Sequence, residues 1–295
     1  MVLVAGGTGR LGTRVVELLT KRDIRVRVLT RDRTRAKHLP EGAEIVEGNV
    51  RDPETLIPAM AGVTTVISAI QGLDDPKSNP VATDRDGNRN LITAAKASGV
   101  DHFVLVSVVK SSPDHPMSLG RAKYAAEQSL QASGLAWTIV RGTAYMEFWA
   151  QLVGQPLIDN DRTQVFGRGD NPINFVSVND VAKAVEMAVV DPRMRGVDLE
   201  VGGPENLTMN QVAEAFERIS GKTGKVSHVP LTMMRIMSVV MRPVKPAMAR
   251  IVQAGVVMDT SDIMAWEPPA DRTMYPWLPY TRLAEVIKTT QKAPA

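Results

Sequence analysis

The 295-residue chain contains no cysteine, which excludes disulfides, thiolate nucleophiles and cysteine-ligated metal sites. Its four histidines are scattered through the chain without metal-ligand spacing, so no metal site is expected. No apolar run is long enough to cross a bilayer, and no charged segment followed by an apolar run resembles a signal peptide. These absences predict a cytoplasmic protein without a transmembrane segment.

Aromatic side chains are also scarce. They make up 4% of the residues, whereas hydrophobic residues together make up 44%, so the core must consist mainly of aliphatic and methionine side chains. The net charge of +3 is too small to indicate nucleic-acid binding, and no helix concentrates base-reading residues. The length permits one large domain or two modest ones.

Glycine is concentrated near the start of the chain, in the segment VAGGTGRLGTR at residues 4–14. An apolar strand is predicted before it and an amphipathic helix after it, which is the context of a dinucleotide-binding fingerprint. Glycines permit a tight turn and bring the backbone close to a pyrophosphate at the positive end of the helix. The alternative is an ordinary glycine-rich turn. The residues expected to contact the dinucleotide are Gly6, Gly7, Thr8, Gly9, Arg10, Leu11 and Gly12.

Apolar runs alternate with helical patterns through the first half of the chain. This alternation predicts an α/β fold with a Rossmann-type, doubly wound parallel sheet. We expect a dinucleotide-binding domain at residues 1–150 and a smaller, mostly helical C-terminal substrate or lid region at 151–295. Strands near 173–178 and 197–201 would interleave this region with the core. The earlier strands are predicted at 2–5, 24–29, 43–48, 64–69, 102–107 and 136–141, and the helices near 33–39, 53–61, 84–98 and 118–133.

The end of the second strand predicts which nicotinamide cofactor binds. An NAD site usually has a carboxylate there, about 20 residues past the glycines, that binds the ribose diol. Here Thr30 and Arg31 occupy that position, and a guanidinium suits the 2′-phosphate of NADP. We therefore expect NADP(H), with Arg10 as a second phosphate contact and Arg35 on a solvated face. Asp32 leaves NAD open, because a shift of two residues would bring its carboxylate to the diol.

Several segments resemble the atypical short-chain dehydrogenase/reductase superfamily, most closely its NmrA-like and isoflavone-reductase-like members. They read GGTGRLG at 6–12, VLTRD at 28–32, GNVRDPETL at 48–56 and SGLAWTIVRGTAYMEF at 133–148. The resemblance implies an NAD(P)-binding Rossmann fold with further cofactor contacts at later strand ends. These would be Asn49 and Val50 at the adenine, Ala69, Ile70 and Gln71 along the ribose and pyrophosphate, Ser107 and Val108 near the nicotinamide, and Gly142, Thr143 and Ala144 beneath its carboxamide.

The superfamily's chemistry usually depends on Y-x-x-x-K with an upstream Ser, and this chain keeps only part of that set. Lys123 stands at the Lys position and Ser107 at a suitable Ser position, whereas Leu119 occupies the Tyr position. Isoflavone-reductase-like members also lack the Tyr, so the resemblance implies that Lys123 fixes the cofactor and assists protonation. Ser107 would orient the substrate oxygen. The alternative for Lys123 is an exposed side chain paired with Glu127 at i+4.

Three further features bear on the substrate. Tyr145 and Phe148 follow the sixth strand, where open α/β sheets bind ligands, and are expected to wall a substrate pocket. His115 is expected in a surface loop rather than at a proton-donor position. The methionine-rich stretch 231–258 predicts a packed helix, a lid over an apolar substrate, or a basic surface facing a membrane or a partner.

Two functions from different classes follow. The first is an NADP(H)-dependent oxidoreductase that transfers hydride to a small, hydrophobic carbonyl, quinone or activated alkene. The second is a non-catalytic NmrA-type NADP(H)-binding redox sensor, regulator or assembly factor that acts through a protein partner. Leu119 at the usual Tyr position keeps the second open. A monomer or a homodimer fits either function.

Overall fold

The structure, a computed structural model, describes residues 1–267 and 275–292. The chain forms two compact units. The first comprises Met1–Arg141 and Val181–Glu200, and the second comprises Gly142–Asp180 and the described chain from Val201 onward.

The described strands and helices follow in chain order. The strands are β1 Val2–Ala5, β2 Val26–Thr30, β3 Glu44–Glu47, β4 Thr65–Ser68, β5 His102–Val108, β6 Ala136–Gly142, β7 Ala144–Tyr145, β8 Arg162–Phe166, β9 Ile173–Val176, β10 Val197–Val201, β11 Asn206–Leu207 and β12 Lys225–Val229. The helices are α1 Arg10–Thr20, α2 Leu56–Ala59, α3 Asn88–Ala97, α4 Ser118–Gln131, α5 Met146–Asn160, α6 Val178–Val190, α7 Met209–Ser220, α8 Leu231–Val240, α9 Pro246–Thr260 and α10 Leu283–Lys292.

The first unit is built on a seven-stranded sheet in the order β10-β6-β5-β4-β1-β2-β3. β1 pairs in parallel with both β2 and β4, so the strand order reverses direction at β1. β2 and β3 pair in parallel, as do β4 and β5. Open α/β sheets bind ligands beyond the carboxyl ends of the strands at such a switch point. The predicted Rossmann-type fold is confirmed.

Apolar side chains explain why the central strands are buried. β1 and β2 are buried along their whole length, as expected of parallel strands covered on both faces. In α1, Leu11, Val15 and Leu19 recur every four residues and form a buried stripe. The core consists mainly of aliphatic side chains, as the scarcity of aromatics predicts, and Phe103 is a fully buried exception.

Two of the predicted helices are shorter or differently wound than expected. The segment near 33–39 forms only a 3-10 turn, Arg33–Ala36, which Asp32 caps by accepting a hydrogen bond from the Thr34 N–H. The segment near 84–98 begins earlier, with a wide π-helical turn at Val81–Gly87 that continues into α3.

The second unit is mostly helical, with two small sheets in the orders β11-β9-β7 and β12-β8. Its α7 begins with a capping box, in which the Thr208 and Gln211 side chains each bond the other's backbone N–H, and ends at Gly221 in the left-handed conformation. The methionine-rich stretch forms α8 and α9. None of the helices within 1–267 and 275–292 is long and apolar enough to cross a membrane.

Candidate functional site

The glycine turn packs too closely for side chains at two positions. Gly6 has a φ of +84°, and a Cβ atom there would lie 2.5 Å from the Ala69 carbonyl oxygen. A Cβ atom on Gly12 would lie 2.1 Å from the Gly6 oxygen, so α1 reaches the turn only because Gly12 lacks one. Gly9 is the N-cap of α1 and provides no side-chain cap. The turn therefore presents a helix N-terminus of the kind that binds phosphate.

Arg31 directly follows β2, at the position expected for an NADP phosphate contact. One of its terminal nitrogens lies 2.9 Å from Asp75 Oδ2, and its side chain is 40% exposed. Partial burial raises the pKa of Asp75, but hydrogen bonds from the Lys77 N–H and from Arg31 outweigh this and hold that pKa below its ordinary value. Arg31 is thus held at the strand end by a carboxylate.

Asp32 is engaged in its own turn. Its Oδ1 accepts hydrogen bonds from the Thr34 N–H at 2.9 Å and from the Thr34 hydroxyl at 2.6 Å. These contacts lower the pKa of Asp32. Thr30 bonds back to the same turn, because its hydroxyl donates to the Asp32 carbonyl at 3.0 Å. The carboxylate that left NAD open therefore caps a 3-10 turn.

The segment after β3 is fixed by local contacts. Asn49 Oδ1 accepts from the Arg51 N–H at 3.1 Å, so its amide oxygen stabilises the turn. The Val50 carbonyl accepts from Asn90 Nδ2 at 2.9 Å, which links this turn to α3. At the end of the neighbouring β4, the Ala69 N–H donates to the Ala5 carbonyl of β1 at 2.9 Å.

Lys123 lies on α4 and is only 3% exposed. Its Nζ is 3.0 Å from Asp84 Oδ1 and donates a hydrogen bond to the Ile70 carbonyl at 2.9 Å. The expected alternative of an exposed lysine paired with Glu127 is wrong, because Lys123 is buried and pairs with Asp84. The Ile70 carbonyl is the hydrogen-bond acceptor of the ammonium among the described residues, and Asp84 Oδ1 is its ion-pair partner.

Asp84 is fully buried in the π-helical turn. Its Oδ2 accepts a hydrogen bond from the Gly72 N–H at 2.8 Å. Burial raises the pKa of Asp84 above its ordinary value, against the opposing pull of the Lys123 ammonium. The pair therefore connects α4, the π-helical turn and the residues just beyond β4.

Glu127, the expected partner of Lys123, instead gathers a second buried network. Its carboxylate accepts hydrogen bonds from the hydroxyls of Ser107 and Ser111 and forms an ion pair with Arg141 at 2.8 Å. Ser107 is 2% exposed. The hydroxyl expected to orient a substrate oxygen is thus committed to Glu127, and this geometry gives that expectation no support.

His115 departs from expectation more plainly, because it is buried rather than in a surface position. It is 2% exposed, and its Nδ1 accepts from the Met117 N–H at 3.0 Å. The His115 ring packs against Gly120. A Cβ atom on Gly120 would lie 2.2 Å from the Cγ atom of His115, so no larger residue fits there. Burial lowers the pKa of His115.

The second unit contains the residues expected to wall a substrate pocket. Tyr145 forms the end of β7, and burial, assisted by the nearby Glu147 charge, raises the pKa of its phenol. Glu147 caps α6 by accepting from the Val178 N–H at 2.9 Å. The Phe148 ring stands edge-on to Trp149, with centroids 5.1 Å apart.

Cofactor contacts were also expected just before β7. The Thr143 N–H donates to the Val201 carbonyl at 3.1 Å, and its hydroxyl donates to Asn174 Oδ1 at 2.9 Å. Ala144 pairs with Phe175 of β9. These contacts fix the backbone of this segment within the second unit.

Sequence reasoning missed Asp84, although the sequence carried a signal for it. Asp84 and Asn88 are four residues apart and continue the spacing of the buried Leu91 and Ala95. Two polar residues in an apolar helical stripe indicate buried groups that need partners. Asn88 finds them in Ser68 and in the Asp84 carbonyl.

The glycine turn, the switch point beside it and the buried lysine define a dinucleotide-binding α/β protein. The chain belongs to the NmrA-like family, whose model matches residues 1–286, and this confirms the resemblance found in the sequence.

Two curated relatives illustrate the range of this family. The chain is 30% identical over 238 residues to the NAD(P)H azoreductase of Xenophilus azovorans, covering 79% of this chain and 78% of the relative. It is 32% identical over 241 residues to the photosystem II assembly factor Ycf39 of Synechocystis sp., covering 80% of this chain and 72% of the relative.

Among solved structures, the NADPH-dependent quinone oxidoreductase QOR2 of Escherichia coli, complexed with NADPH, has the same fold. It superposes with a TM-score of 0.79 at 22% identity, covering 99% of this chain and 100% of that one.

Proposed function

We propose that the protein is an NADP(H)-dependent reductase of a small, apolar carbonyl, quinone or activated alkene. The observation that carries the proposal is the burial of the Lys123 ammonium, which is paired with Asp84 and donates a hydrogen bond to the Ile70 carbonyl. Family membership and the reductase names of relatives add support.

The residues present fit NADP(H). The glycine turn, with its close contact between Gly6 and Gly12, offers backbone N–H groups to the pyrophosphate. Arg31 would bind the 2′-phosphate, exchanging its charge-assisted contact with Asp75 for one with the phosphate. Asp32, engaged in its own turn, is poorly placed to select NAD. Ile70 would line the ribose.

When bound, NADPH would supply the hydride for reduction of the substrate. A carbonyl that accepts hydride at carbon needs a proton at oxygen, and Lys123 provides it from its ammonium. Water then returns a proton to the amine. Asp84 holds the Lys123 ammonium in place before the transfer, and the cost of leaving the buried carboxylate unpaired then favours the return of a proton to the amine. We assign no step to Ser107, whose hydroxyl bonds Glu127.

The substrate region is part of the same proposal. Residues 1–150 would bind the dinucleotide, and residues 151–295 together with Tyr145 and Phe148 would bind an apolar substrate. The raised pKa of Tyr145 keeps its phenol protonated and able to donate a hydrogen bond. Val108 would approach the nicotinamide. We place this activity in a cytoplasmic monomer or homodimer.

Oxidation of NADPH by the purified protein, against a panel of quinones, aromatic ketones and enones, tests the proposal. Lys123→Ala should abolish turnover, and Lys123→Arg should not restore it, because a guanidinium keeps the positive charge and the hydrogen-bond donors but does not give up a proton. Lys96→Ala, at an exposed position of α3, is the matched control and should leave turnover unchanged. Turnover that survives Lys123→Ala would overturn the assignment of the proton donor.

A second function is favoured by a specific observation. Leu119, at the usual Tyr position, is 7% exposed and forms part of the core. The name of one relative, an assembly factor, supports the same non-catalytic function. Saturable NADPH binding without turnover across the whole panel would identify a dinucleotide-dependent sensor or assembly factor that acts through a protein partner.

A further inference from the structure

The α8–α9 hairpin carries an apolar surface that faces outward. Large hydrophobic side chains at least 41% exposed occur at eight positions in the described residues, and six of them lie between 233 and 248. We name these six the hairpin patch: Met233, Ile236, Val239, Val240, Val244 and Met248. Such a concentration of exposed apolar side chains points to an interaction site rather than ordinary surface.

The geometry of α8 separates the patch from the side that packs on the protein. Met234 and Ser238, four residues apart, are buried on one face. Met233, Ile236 and Val240 follow at i, i+3 and i+7 and therefore share a different face. They are 53%, 59% and 65% exposed. The helix thus has one apolar face for the fold and another with no packing role among the described residues.

The segment that carries the patch has charge of a single sign. No acidic residue occurs between Glu217 and Asp259. Arg235, Arg242 and Lys245 are exposed beside the patch, on α8 and in the turn that follows it. An anion-bearing surface would meet both the aliphatic side chains and the cations without repulsion.

We propose that the hairpin patch docks the protein on an anionic phospholipid surface. The patch is apolar, and the only charged residues between Glu217 and Asp259 are cationic, a combination that suits anionic lipid. An interfacial helix combines an apolar face that enters the headgroup boundary with a cationic flank that meets anionic lipid, and α8 has both. A ten-residue helix is about 15 Å long, too short to span a bilayer, so the hairpin lies in the interface.

Co-sedimentation of the full chain with vesicles tests the proposal. One set is phosphatidylcholine alone, and the other contains phosphatidylglycerol. Binding should require phosphatidylglycerol and weaken as salt is raised. Ile236→Ser/Val240→Ser and Arg235→Glu/Lys245→Glu should each lower the partition coefficient about tenfold or more, because each removes two interfacial contacts.

Matched variants outside the patch control for exposure and charge. Ile57→Ser removes an aliphatic side chain that is 50% exposed on α2, and Lys21→Glu reverses an exposed charge next to α1. Both should bind vesicles like the unmodified chain. Unchanged thermal melting and NADPH binding in every variant would show that the fold is intact and separate this test from that of the proposed reductase.

Two results would overturn the proposal. One is the absence of phosphatidylglycerol-dependent binding, or binding that the patch variants do not weaken. The other is self-association in sedimentation velocity that Ile236→Ser/Val240→Ser abolishes while vesicles have no effect, since the patch would then be an interface between two copies of this chain.

Discussion

Lys123 and Asp84 form an ion pair, with 3.0 Å between Nζ and Oδ1, in which both side chains are buried. Neither group could be buried charged without the other, because removing one partner leaves an uncompensated charge in a medium of low polarity. The pair also fixes where the lysine donors lie, since the same Nζ bonds the Ile70 carbonyl.

Replacing one member of this pair should lower the free energy of unfolding more than half as much as replacing both, because a single replacement leaves a buried charge without its partner. Asp84→Asn and Lys123→Met should each lower the free energy of unfolding by about 3–5 kcal/mol, and the double variant by clearly less than the sum. Urea denaturation of the four proteins measures the coupling. Asp86→Asn, at a more exposed carboxylate of the same turn, is the control. Additive losses would mean that the two charges do not depend on each other.

Arg31 should decide between the two nicotinamide dinucleotides. Arg31→Ala should weaken NADPH binding about tenfold or more through loss of a charge-assisted contact, and leave NADH binding unchanged. Fluorescence titration with both dinucleotides checks this. Arg35→Ala, in the exposed 3-10 turn, should alter neither. An equal loss for NADH and NADPH would place Arg31 away from the 2′-phosphate.

The glycine turn should not tolerate a methyl group at Gly12. Gly12→Ala would put Cβ 2.1 Å from the Gly6 oxygen, so α1 must move, and the free energy of unfolding should fall by at least about 1–3 kcal/mol. NADPH binding should weaken with it. Gly9→Ala meets the same oxygen at 3.3 Å and should have a smaller effect on both measurements. Equal effects would indicate that crowding is not the cause.

Ser107→Ala separates a structural hydroxyl from a catalytic one. Ser107 donates to the buried Glu127, so its removal should lower the free energy of unfolding by about 1 kcal/mol and leave kcat nearly unchanged. Ser111→Ala, which removes another donor to the same carboxylate, should behave alike. A large fall in kcat for Ser107→Ala alone would show that Ser107 contacts the substrate during catalysis.

His102 should make stability depend on pH. Burial, with a smaller contribution from Arg195, lowers its pKa from 6.5 to about 4. The Thr138 hydroxyl donates to the Met194 carbonyl, so it accepts from His102 Nε2 and holds that nitrogen protonated in the neutral ring. Between pH 6.5 and 4 the unfolded chain binds this proton and the folded one does not, so stability falls as pH falls.

The loss attributable to His102 is at most about 3 kcal/mol across that interval. His102→Gln keeps a donor for Thr138 but cannot titrate, so its stability should fall less steeply with acidification. His38→Gln, at an exposed position, should keep the slope of the unmodified protein. Parallel pH profiles for His102→Gln and the unmodified chain would contradict this account.

The features that can be predicted from the sequence are those that depend on residues close together in the chain. The glycine turn, the alternation of strands and helices, and Leu119 at the Tyr position all follow from local spacing. The identity of the Lys123 partner does not, because Glu127 at i+4 is the local choice and Asp84 comes from a different element. His115 is buried because Gly120 makes room for its ring, and a single sequence does not indicate that contact.

The position of β10 beside β6 determines when, during synthesis, the sheet of the first unit can be completed. β6 ends at Gly142, yet its neighbour β10 is not made until Val201, and Glu186 of α6 pairs with Arg22 just past α1. A nascent chain of about 150 residues would expose the edge of β6, which invites pairing with another chain. The sheet of the first unit can therefore be completed only after the ribosome has made β7, β8 and β9 of the other unit. Folding of the first unit must wait for synthesis of part of the second.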